Sequence, residues 1–379
     1  EWNKYTINDL ATVVGGGTPD TTVKSYWGGD IQWFTPSEIG KNKYVDFSKR
    51  TITRDGLDNS SAKLLPLHTI LLSSRATVGE CSIASNECTT NQGFQSLIAK
   101  QCNIDFLYYL IQTKKKDLIR NACGSTFLEI SANEIRKIKV AVPVQNEQEQ
   151  IAKLLSLIDE RIATQNKIIE DLKKLKSAIS KYLFARKDLL ETTICLSNIA
   201  TLKNGYAFQS GKYNAQGKWK ILTITNVPGE RYINDEDCNC IINLPNDIQD
   251  HQVLKEGDIL ISLTGNVGRV SLCKNGNYLL NQRVGLLQLA KNVNQEFLYQ
   301  ILSSQRFENS MIACGQGAAQ MNIGKGDVEN YVLPYSSNGN NILFAAKILH
   351  SYDECIINEL RRLTLLTMQK QYLLTQMFI

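Results

Sequence analysis

The sequence predicts an α/β (α+β) fold in which two pseudo-symmetric, β-rich domains are separated by two long, antiparallel coiled-coil helices. Three observations support this prediction. An internal repeat runs through the 379 residues, each copy begins with short apolar runs broken by Gly, Asn and Pro, and each copy ends in a long segment with a heptad pattern. The predicted boundaries are 1–143 for the first domain, 144–190 for a central helical spacer, 191–341 for the second domain and 342–379 for a distal helical spacer.

The internal repeat is clearest in its apolar, glycine and amide positions. The matching segments, first copy then second, are 70–80 (ILLSSRATVGE) with 259–269 (ILISLTGNVGR), Asn91-Gln92 with Asn281-Gln282, 105–111 with 296–302, and Asp159-Glu160 with Asp353-Glu354. The offset between the copies grows in small steps along the chain, as loop insertions would produce. The sequence is therefore interpreted as one duplicated unit.

Both copies have the same predicted order of elements: strand-like apolar runs, a short helix, then a proline and a long helix. In the first copy these are 31–34 and 70–73, 106–120, and Pro143, and in the second they are 221–224 and 259–262, 297–312, and Pro334. Asn146 with Glu149 indicates the start of the first long helix. From Glu147 to Phe184 that helix would measure roughly 57 Å at 1.5 Å per residue.

Each long helix carries an apolar seam at alternating steps of four and three residues, which is the spacing of a coiled coil. In the first helix the seam positions are Ile151, Leu155, Ile158, Ile162, Gln165, Ile169, Leu172, Lys176, Ile179 and Leu183. In the second they are Ala345, Leu349, Tyr352, Ile356, Glu359, Leu363, Leu366, Lys370, Leu373 and Met377. The polar breaks fall at matched places in the two copies, so the helices are predicted to pair with each other in an antiparallel way.

A second apolar stripe lies off the seam of the first helix, at Leu154, Leu157, Ile168, Leu175 and Tyr182. A two-helix coil needs only one narrow apolar face. The stripe therefore has two interpretations. It packs on the chain's own globular domains, or it binds helices of other proteins that complete a four-helix bundle.

Composition excludes several classes of protein. No apolar run approaches the roughly 18 residues that span a bilayer, and 43% hydrophobic with 21% charged residues is a globular composition. The ten cysteines include no Cys-x-x-Cys pair and the three histidines are scattered, so no metal site is expected. The net charge of +5 is too small to identify a partner.

The motifs of a self-contained enzyme are also missing from the sequence. There is no Asn/Asp-Pro-Pro-aromatic tetrapeptide, no GxGxxG and no GxxxxGK[ST]. Gly324-Lys325-Gly326 lacks both the first glycine and the hydroxyl residue of the last motif. The chain is therefore predicted to carry no catalytic residues and to perform no chemistry of its own.

Several motifs follow one another along the chain. They are Gly16-Gly17-Thr18-Pro19 near the start, ILLSSRATVG with its repeat ILISLTGNVG, the two Asn-Gln pairs, and Pro143 followed by EQEQIAKLL at 147–155. In this order and over its whole length, the chain resembles the specificity subunits of type I restriction–modification enzymes. It departs from them where the second long helix opens with NGNNILFAAK at 338–347 and lacks the Glu-Gln pair.

The resemblance implies that each domain is a target-recognition domain that reads one half of a split, asymmetric site in double-stranded DNA, with the helices setting the gap. It implies two methyltransferase subunits as partners, joined by restriction subunits in a complex that methylates adenine and cuts DNA with ATP. S-adenosylmethionine, ATP and magnesium would belong to those subunits, with no cofactor in this chain. The expected location is the cytoplasm of a bacterium or archaeon. Two readers on one face of a duplex would sit about 34–36 Å apart.

The candidate DNA-binding residues lie in loops after the predicted strands, where polar side chains reach base edges or phosphates. They are Arg75, Thr77, Asn91, Gln92, Lys41 and Lys43 in the first copy, and Thr264, Asn266, Arg269, Gln282 and Arg283 in the second. Residues identical in both copies, such as Asn91, are interpreted first as shared scaffold. Positions that differ, Arg75 against Thr264 and Gly93 against Arg283, are the better candidates for specificity.

Two alternatives remain open at the level of the sequence. The basic stretch around Lys41 and Lys43 fits a phosphate-binding segment, and it fits a solvated loop equally well. The whole chain also fits a coiled-coil scaffold protein whose globular domains bind protein rather than DNA.

Overall fold

The computed structural model of the chain describes residues 2–124, 128–315 and 321–378. The chain divides into two compact units, of which the first comprises Glu1–Gln165 with Arg362–Ile379 and the second comprises Asn166–Arg361. Each unit therefore contains one β-rich domain, a part of the first long helix and a part of the second.

The first unit contains ten strands and five short helices within its described residues, followed by the first long helix. The strands are β1 (Asn3–Thr6), β2 (Ala11–Gly15), β3 (Trp27–Phe34), β4 (Tyr44–Val45), β5 (Arg50–Ile52), β6 (Ile70–Leu72), β7 (Cys81–Ala84), β8 (Cys88–Thr90), β9 (Gln95–Ala99) and β10 (Lys139–Val142). The helices are α1 (Ile7–Leu10), α2 (Arg54–Asp58), α3 (Ile104–Thr113), α4 (Lys115–Arg120), α5 (Ala132–Lys137) and the long α6 (Gln145–Ala185).

The second unit repeats this order. Its strands are β11 (Thr192–Cys195), β12 (Ala200–Asn204), β13 (Trp219–Leu222), β14 (Asn239–Ile241), β15 (Val253–Leu254), β16 (Ile259–Ser262), β17 (Val270–Leu272), β18 (Tyr278–Leu280), β19 (Val284–Leu289) and β20 (Val332–Tyr335). Its helices are α7 (Gln295–Leu302), α8 (Gln305–Gly315), α9 (Lys325–Glu329) and the long α10 (Gly339–Met377).

The sheets have corresponding topologies. In the first unit the strand orders are β2-β9-β6-β7-β4, β5-β3-β8 and β1-β10, and in the second they are β12-β19-β16-β17, β14-β13-β18-β15 and β11-β20. Strand β3 pairs with β8 in parallel, with Phe34 opposite Thr90, and β13 pairs with β18 in parallel, with Leu222 opposite Leu280. The predicted fold of two pseudo-symmetric β-rich domains with two long helices is confirmed.

Strand β6 shows why the short apolar runs form buried strands, because successive side chains of a strand point to opposite faces. Ile70 and Leu72 pack into one core together with α3, whereas Leu71 packs into a second core. In the second unit Ile259 and Ile261 face one core and Leu260 faces another. A strand that is covered on both faces has a continuous apolar sequence, as β6 and β16 have.

The short helix predicted in each copy is interrupted in the structure. The first copy has α3 and α4, and the second has α7 and α8. Asn103 caps α3 by accepting a hydrogen bond from Phe106 N at 3.0 Å, and Asn294 caps α7 by accepting one from Phe297 N at 2.8 Å. Such caps satisfy an otherwise unpaired N–H of the first turn, which explains why each helix begins where it does.

The two long helices run antiparallel within each unit. In the first unit Leu155 of α6 and Leu374 of α10 share a core, and in the second Leu183 of α6 and Leu349 of α10 do so. Every seam position of both helices is buried or half-buried. Among the residues that the structure describes, none of the helices has the length and apolarity needed to cross a membrane.

Candidate nucleic-acid interface

Four loops of the first domain meet at the edge where parallel strands β3 and β8 end. Gly17 N donates to Thr90 O at 2.9 Å, and Asn91 N donates to Phe34 O at 3.1 Å. Beside them, Ser74 N donates to Gly93 O and Ile130 N donates to Ser74 O, at 2.8 and 2.9 Å. We call the edge formed by residues 16–19, 73–79, 91–93 and 128–130 the first rim.

The second domain has an equivalent second rim, formed by residues 205–209, 262–268, 281–283 and 321–323. Asn281 N donates to Leu222 O at 3.2 Å, as Asn91 does to Phe34. Leu263 N donates to Arg283 O at 3.0 Å, and Ile323 N donates to Leu263 O at 2.9 Å. Three backbone hydrogen bonds of the first rim therefore recur at the matching places of the second.

The loop after β6 and its counterpart after β16 are closed by the same residues. Gly79 N donates to Ser73 O at 3.0 Å, and Gly268 N donates to Ser262 O at 2.9 Å. Both glycines have positive φ, 89° and 78°, and a Cβ on Gly79 would lie 2.8 Å from Lys115 Cγ. Only glycine fits this conformation without strain. The geometry favours the interpretation that residues identical in both copies form the scaffold.

The side chains on this common backbone differ between the rims. Arg75 forms an ion pair with Glu129, with Nη2 at 2.7 Å and Nε at 3.1 Å from Oε2. At the matching place Thr264 Oγ1 donates to Asn322 Oδ1 at 3.2 Å. Both pairs sit on isolated antiparallel bridges between neighbouring segments, and the Arg75 and Glu129 side chains are 45% and 43% exposed.

The sequence analysis did not single out Glu129 or Asn322. They follow segments in which the two copies share no sequence pattern. One signal was present: an isoleucine follows each of them, Ile130 after Glu129 and Ile323 after Asn322. Both isoleucines are buried. Extending the repeat to these isoleucines would have placed the preceding residues on the rims.

The other candidates in the rims fall into two groups. Asn91 Oδ1 accepts from Gly93 N at 2.9 Å and Asn281 Oδ1 accepts from Arg283 N at 3.3 Å, so both amides fix a turn. Thr77 is exposed with its hydroxyl 3.0 Å from Ser73 Oγ. The remaining exposed side chains are Gln92, which accepts from the Thr18 hydroxyl, and Asn266, Gln282 and Arg283.

Lys43 does not lie on an open loop, contrary to the expectation from the sequence. Its Nζ is 2.7 Å from Asp105 Oδ1 and donates to Ser156 Oγ of α6 at 2.6 Å, and only 11% of the side chain is exposed. The ammonium is largely covered and is occupied by these partners, which gives Lys43 a structural role in place of the expected phosphate contact. Lys41 is exposed, and Arg269 pairs with Glu308 of α8 at 3.5 Å.

Lys43 belongs to a network that joins the first domain to its helices. The Tyr109 hydroxyl donates to Asp159 Oδ2 of α6 at 2.6 Å, and Lys370 of α10 pairs with Asp159 Oδ1 at 2.6 Å. Burial, reinforced by the hydrogen bond to Asp159, raises the pKa of Tyr109 far above its ordinary value. We call this cluster of Lys43, Asp105, Tyr109, Asp159 and Lys370 the first junction.

The second domain has a matching second junction, in which the side chains from the domain differ and the Asp–Lys pair from the long helices is kept. Arg231 pairs with Glu296 at 2.7 Å and with Asp353 of α10 at 2.9 Å, and Lys176 of α6 pairs with Asp353 at 2.6 Å. Gln300 Nε2 also donates to Asp353, at 2.6 Å. Burial opposes ionisation of Glu296, but the hydrogen bonds from Arg231 and Gln300 outweigh it and lower its pKa. The polar breaks of the seam, Lys176 and Lys370, thus pair with repeat-matched aspartates.

The second apolar stripe of α6 is exposed. Leu154 and Leu157 in the first unit are 41% and 50% exposed, and in the second unit Ile168, Leu175 and Tyr182 are 41%, 47% and 64% exposed. The globular domains therefore do not cover the stripe. On α10 of the first unit, Leu365, Met368 and Tyr372 are also exposed and follow the same spacing of three and four residues.

No group of three or more His, Cys, Asp or Glu side chains that could hold a metal ion occurs in the described ranges 2–124, 128–315 and 321–378. The ten cysteines are free thiols, of which Cys81, Cys88, Cys102 and Cys273 are buried.

The model of the type I restriction modification DNA specificity domain matches the chain twice, over residues 1–174 and 191–368. The chain belongs to this family of type I specificity proteins. The two matches cover both copies of the internal repeat, so the resemblance inferred from the motifs is confirmed.

Curated relatives of this specificity protein carry consistent names. The type I restriction enzyme MjaIX specificity subunit of Methanocaldococcus jannaschii is 38% identical over 192 residues, which are 48% of this chain and 44% of the relative. The EcoR124I/EcoR124II specificity subunit of Escherichia coli is 28% identical over 198 residues, which are 50% of this chain and 48% of the relative. The chain spans about half the length of the curated relatives it matches.

Solved structures of the family share the fold. The S subunit of the type I restriction–modification system from M. genitalium superposes with a TM-score of 0.59 at 19% identity, covering 100% of this chain and 96% of that one. A chain from a structure that describes complex assembly and conformational transition of the type I R-M system superposes with a TM-score of 0.62 at 14% identity, covering 99% and 97%.

Proposed function

We propose that this specificity protein binds double-stranded DNA and that each rim reads one half of a bipartite, asymmetric target. One observation carries the proposal: the two rims share one backbone scaffold but present different exposed polar side chains. A common scaffold with exchanged side chains is what two readers of different base sequences need, because base edges are distinguished by the donors and acceptors that meet them.

In this proposal the chain is a non-catalytic subunit. S-adenosylmethionine, ATP and magnesium are used by its partner subunits, two methyltransferase subunits and, in the full complex, restriction subunits. The names of the curated relatives, which are specificity subunits, support this division of roles.

The exposed stripe on α6 is the proposed docking face for methyltransferase helices. Its residues repeat at helical spacing and lie beside the seam of α6, where they offer an exposed apolar face that a partner helix would bury. In the same proposal the long helices set the gap between the two half-sites. Helix α6 spans 41 residues, which corresponds to roughly 61 Å at 1.5 Å per residue.

The direct test is to express the full chain with the methyltransferase subunit of its own host and to sequence the methylated bases of the recipient genome. We expect one motif with two specified halves and a fixed gap. An unmodified genome would favour a protein-binding scaffold instead. So would duplex binding by the purified chain that does not weaken as salt is raised, since binding to DNA phosphates weakens steeply with salt.

A further inference from the structure

The residues at positions 75 and 129 are structurally equivalent to those at 264 and 322. Ala76 N donates to Leu128 O at 3.2 Å, and Gly265 N donates to Met321 O at 2.9 Å. The antiparallel bridges Arg75–Glu129 and Thr264–Asn322 lie next to these bonds. The hydroxyls of Ser73 and Ser262 donate to the carbonyls of Arg75 and Thr264, at 3.1 and 3.2 Å. The same contacts thus hold the backbone at both places, while both side chains differ.

We propose that these two pairs determine specificity: Arg75 with Glu129 reads a G·C base pair in one half-site, and Thr264 with Asn322 reads an A·T base pair in the other. This inference rests on the proposed function, because it assumes that the rims meet DNA. It adds to that function the residues and the class of base pair at one position of each half-site.

The first pair has the donors and acceptors of a G·C reader. Both Nε and Nη2 of Arg75 point to Glu129 Oε2, which leaves Nη1 and one N–H of Nη2 free to donate to guanine O6 and N7. Glu129 Oε1 stays free to accept from the amino group of cytosine. Arginine on guanine and glutamate on cytosine are the pairings that major-groove geometry favours.

The second pair has the donors and acceptors of an A·T reader. Because the Thr264 hydroxyl donates to Asn322 Oδ1, the amide is oriented while Nδ2 and one lone pair of Oδ1 stay available. An oriented asparagine amide donates to adenine N7 and accepts from N6, and a threonine methyl suits the thymine methyl. The fixed geometry also lowers the entropy lost on binding.

The two pairs differ in charge as well as in shape. At the first rim a cation and a carboxylate are held together, and at the second rim both groups are neutral. A base pair that leaves one of these groups without its partner costs about 5- to 150-fold in affinity. Exchanging the pairs between rims should therefore exchange the preferred base pair rather than abolish binding.

The test uses the full chain in complex with its methyltransferase subunit and reads the methylated motif by genome sequencing. The double variant R75T/E129N should lose the G·C requirement at one position of the first half-site and prefer A·T there, with the second half-site unchanged. The reciprocal variant T264R/N322E should change one position of the other half-site from A·T to G·C. Each change should alter the methylation rate at the affected sites by about 5- to 150-fold.

A matched control removes another exposed ion pair of the first unit, Lys137 with Glu134 on α5, whose side chains are 70% and 42% exposed. The variant K137T/E134N should keep the wild-type motif. The single variants R75A and N322A keep the scaffold and should relax, rather than switch, one position each. Unchanged unfolding temperatures of the variants would show that the scaffold is intact.

The outcomes separate this inference from the proposed function. A wild-type complex without a bipartite motif would overturn the proposed function and the inference with it. A wild-type bipartite motif that all four variants retain at wild-type rates would overturn the assignment of the two pairs alone. A change in both half-sites from one double variant would overturn it as well.

Discussion

Removing the carboxylate of Asp353 should destabilise the second unit more than removing any exposed carboxylate of the same helices. Asp353 is buried and accepts from Lys176 at 2.6 Å, from Arg231 at 2.9 Å and from Gln300 at 2.6 Å. In D353A, Arg231 keeps Glu296, but Lys176 loses the ion partner that the described structure gives it, with only 18% of its side chain exposed. Breaking a buried pair in this way costs about 3–5 kcal/mol.

The size of the effect is checked by equilibrium denaturation of wild type and D353A. The control is E170A, which removes an exposed pair with Lys174 on α6, where both side chains are more than 60% exposed, and which should cost less than about 1 kcal/mol. In the double variant K176M/D353A no cation is left unpaired, so its loss should be smaller than the sum of the two single losses. Strict additivity, or a D353A variant as stable as E170A, would refute the buried-network interpretation.

Four further predictions concern the second junction, the exposed stripe, the rim and the modularity of the domains. The pKa of Glu296 is lowered in the folded state, so its stabilising contribution is present above its ordinary pKa of 4.5 and is lost as pH falls through and below that value. E296Q should therefore flatten the acid side of the plot of unfolding free energy against pH. An unchanged plot would contradict this. L175D should change the unfolding free energy by less than about 0.5 kcal/mol, because the side chain is exposed, yet it should abolish co-purification with the methyltransferase subunit. Retained co-purification would exclude the stripe as the docking face. G79A should cost about 1–3 kcal/mol more in unfolding free energy than G28A, because both positions have a similar positive φ but only at position 79 would the added Cβ crowd a neighbour, Lys115. Equal losses would contradict the close packing on Lys115. Exchanging residues 10–140 for the equivalent segment of a relative should change one half of the methylated motif, and a change in both halves would contradict independent reading.

The features that the sequence predicted well are those for which a periodic pattern directly reflects burial. The seam of each long helix follows a spacing of 3.5 residues, and every seam position is buried or half-buried. The repeat likewise revealed the scaffold of the rims, because Gly79 and Gly268 are required by the same backbone conformation. At these positions the residue pattern in the sequence corresponds directly to burial or to backbone conformation in the structure.

The features that the sequence did not predict depend on contacts between segments far apart in the chain. Lys43 was expected on an open loop, but its ammonium lies against α6, at Ser156. Lys176 and Lys370 were seen as polar breaks of the seam, whereas the structure pairs them with Asp353 and Asp159. No local pattern encodes these partners, since the pairing follows from the antiparallel arrangement of the helices within each unit.

The two junctions explain how a duplicated chain could diverge in its rims and keep its architecture. Each junction has a cation from the domain, an acid at the start of the short helix and an Asp–Lys pair from the long helices. The cation and the acid are Lys43 and Asp105 in the first junction and Arg231 and Glu296 in the second, whereas the Asp–Lys pair is the same. Arginine with glutamate spans a longer distance than lysine with aspartate, so the paired change conserves the link while the loops around it differ. Substitutions at the exposed rim positions do not touch these buried networks. The exposed rim positions can therefore differ between the two copies without altering how each domain is attached to its helices.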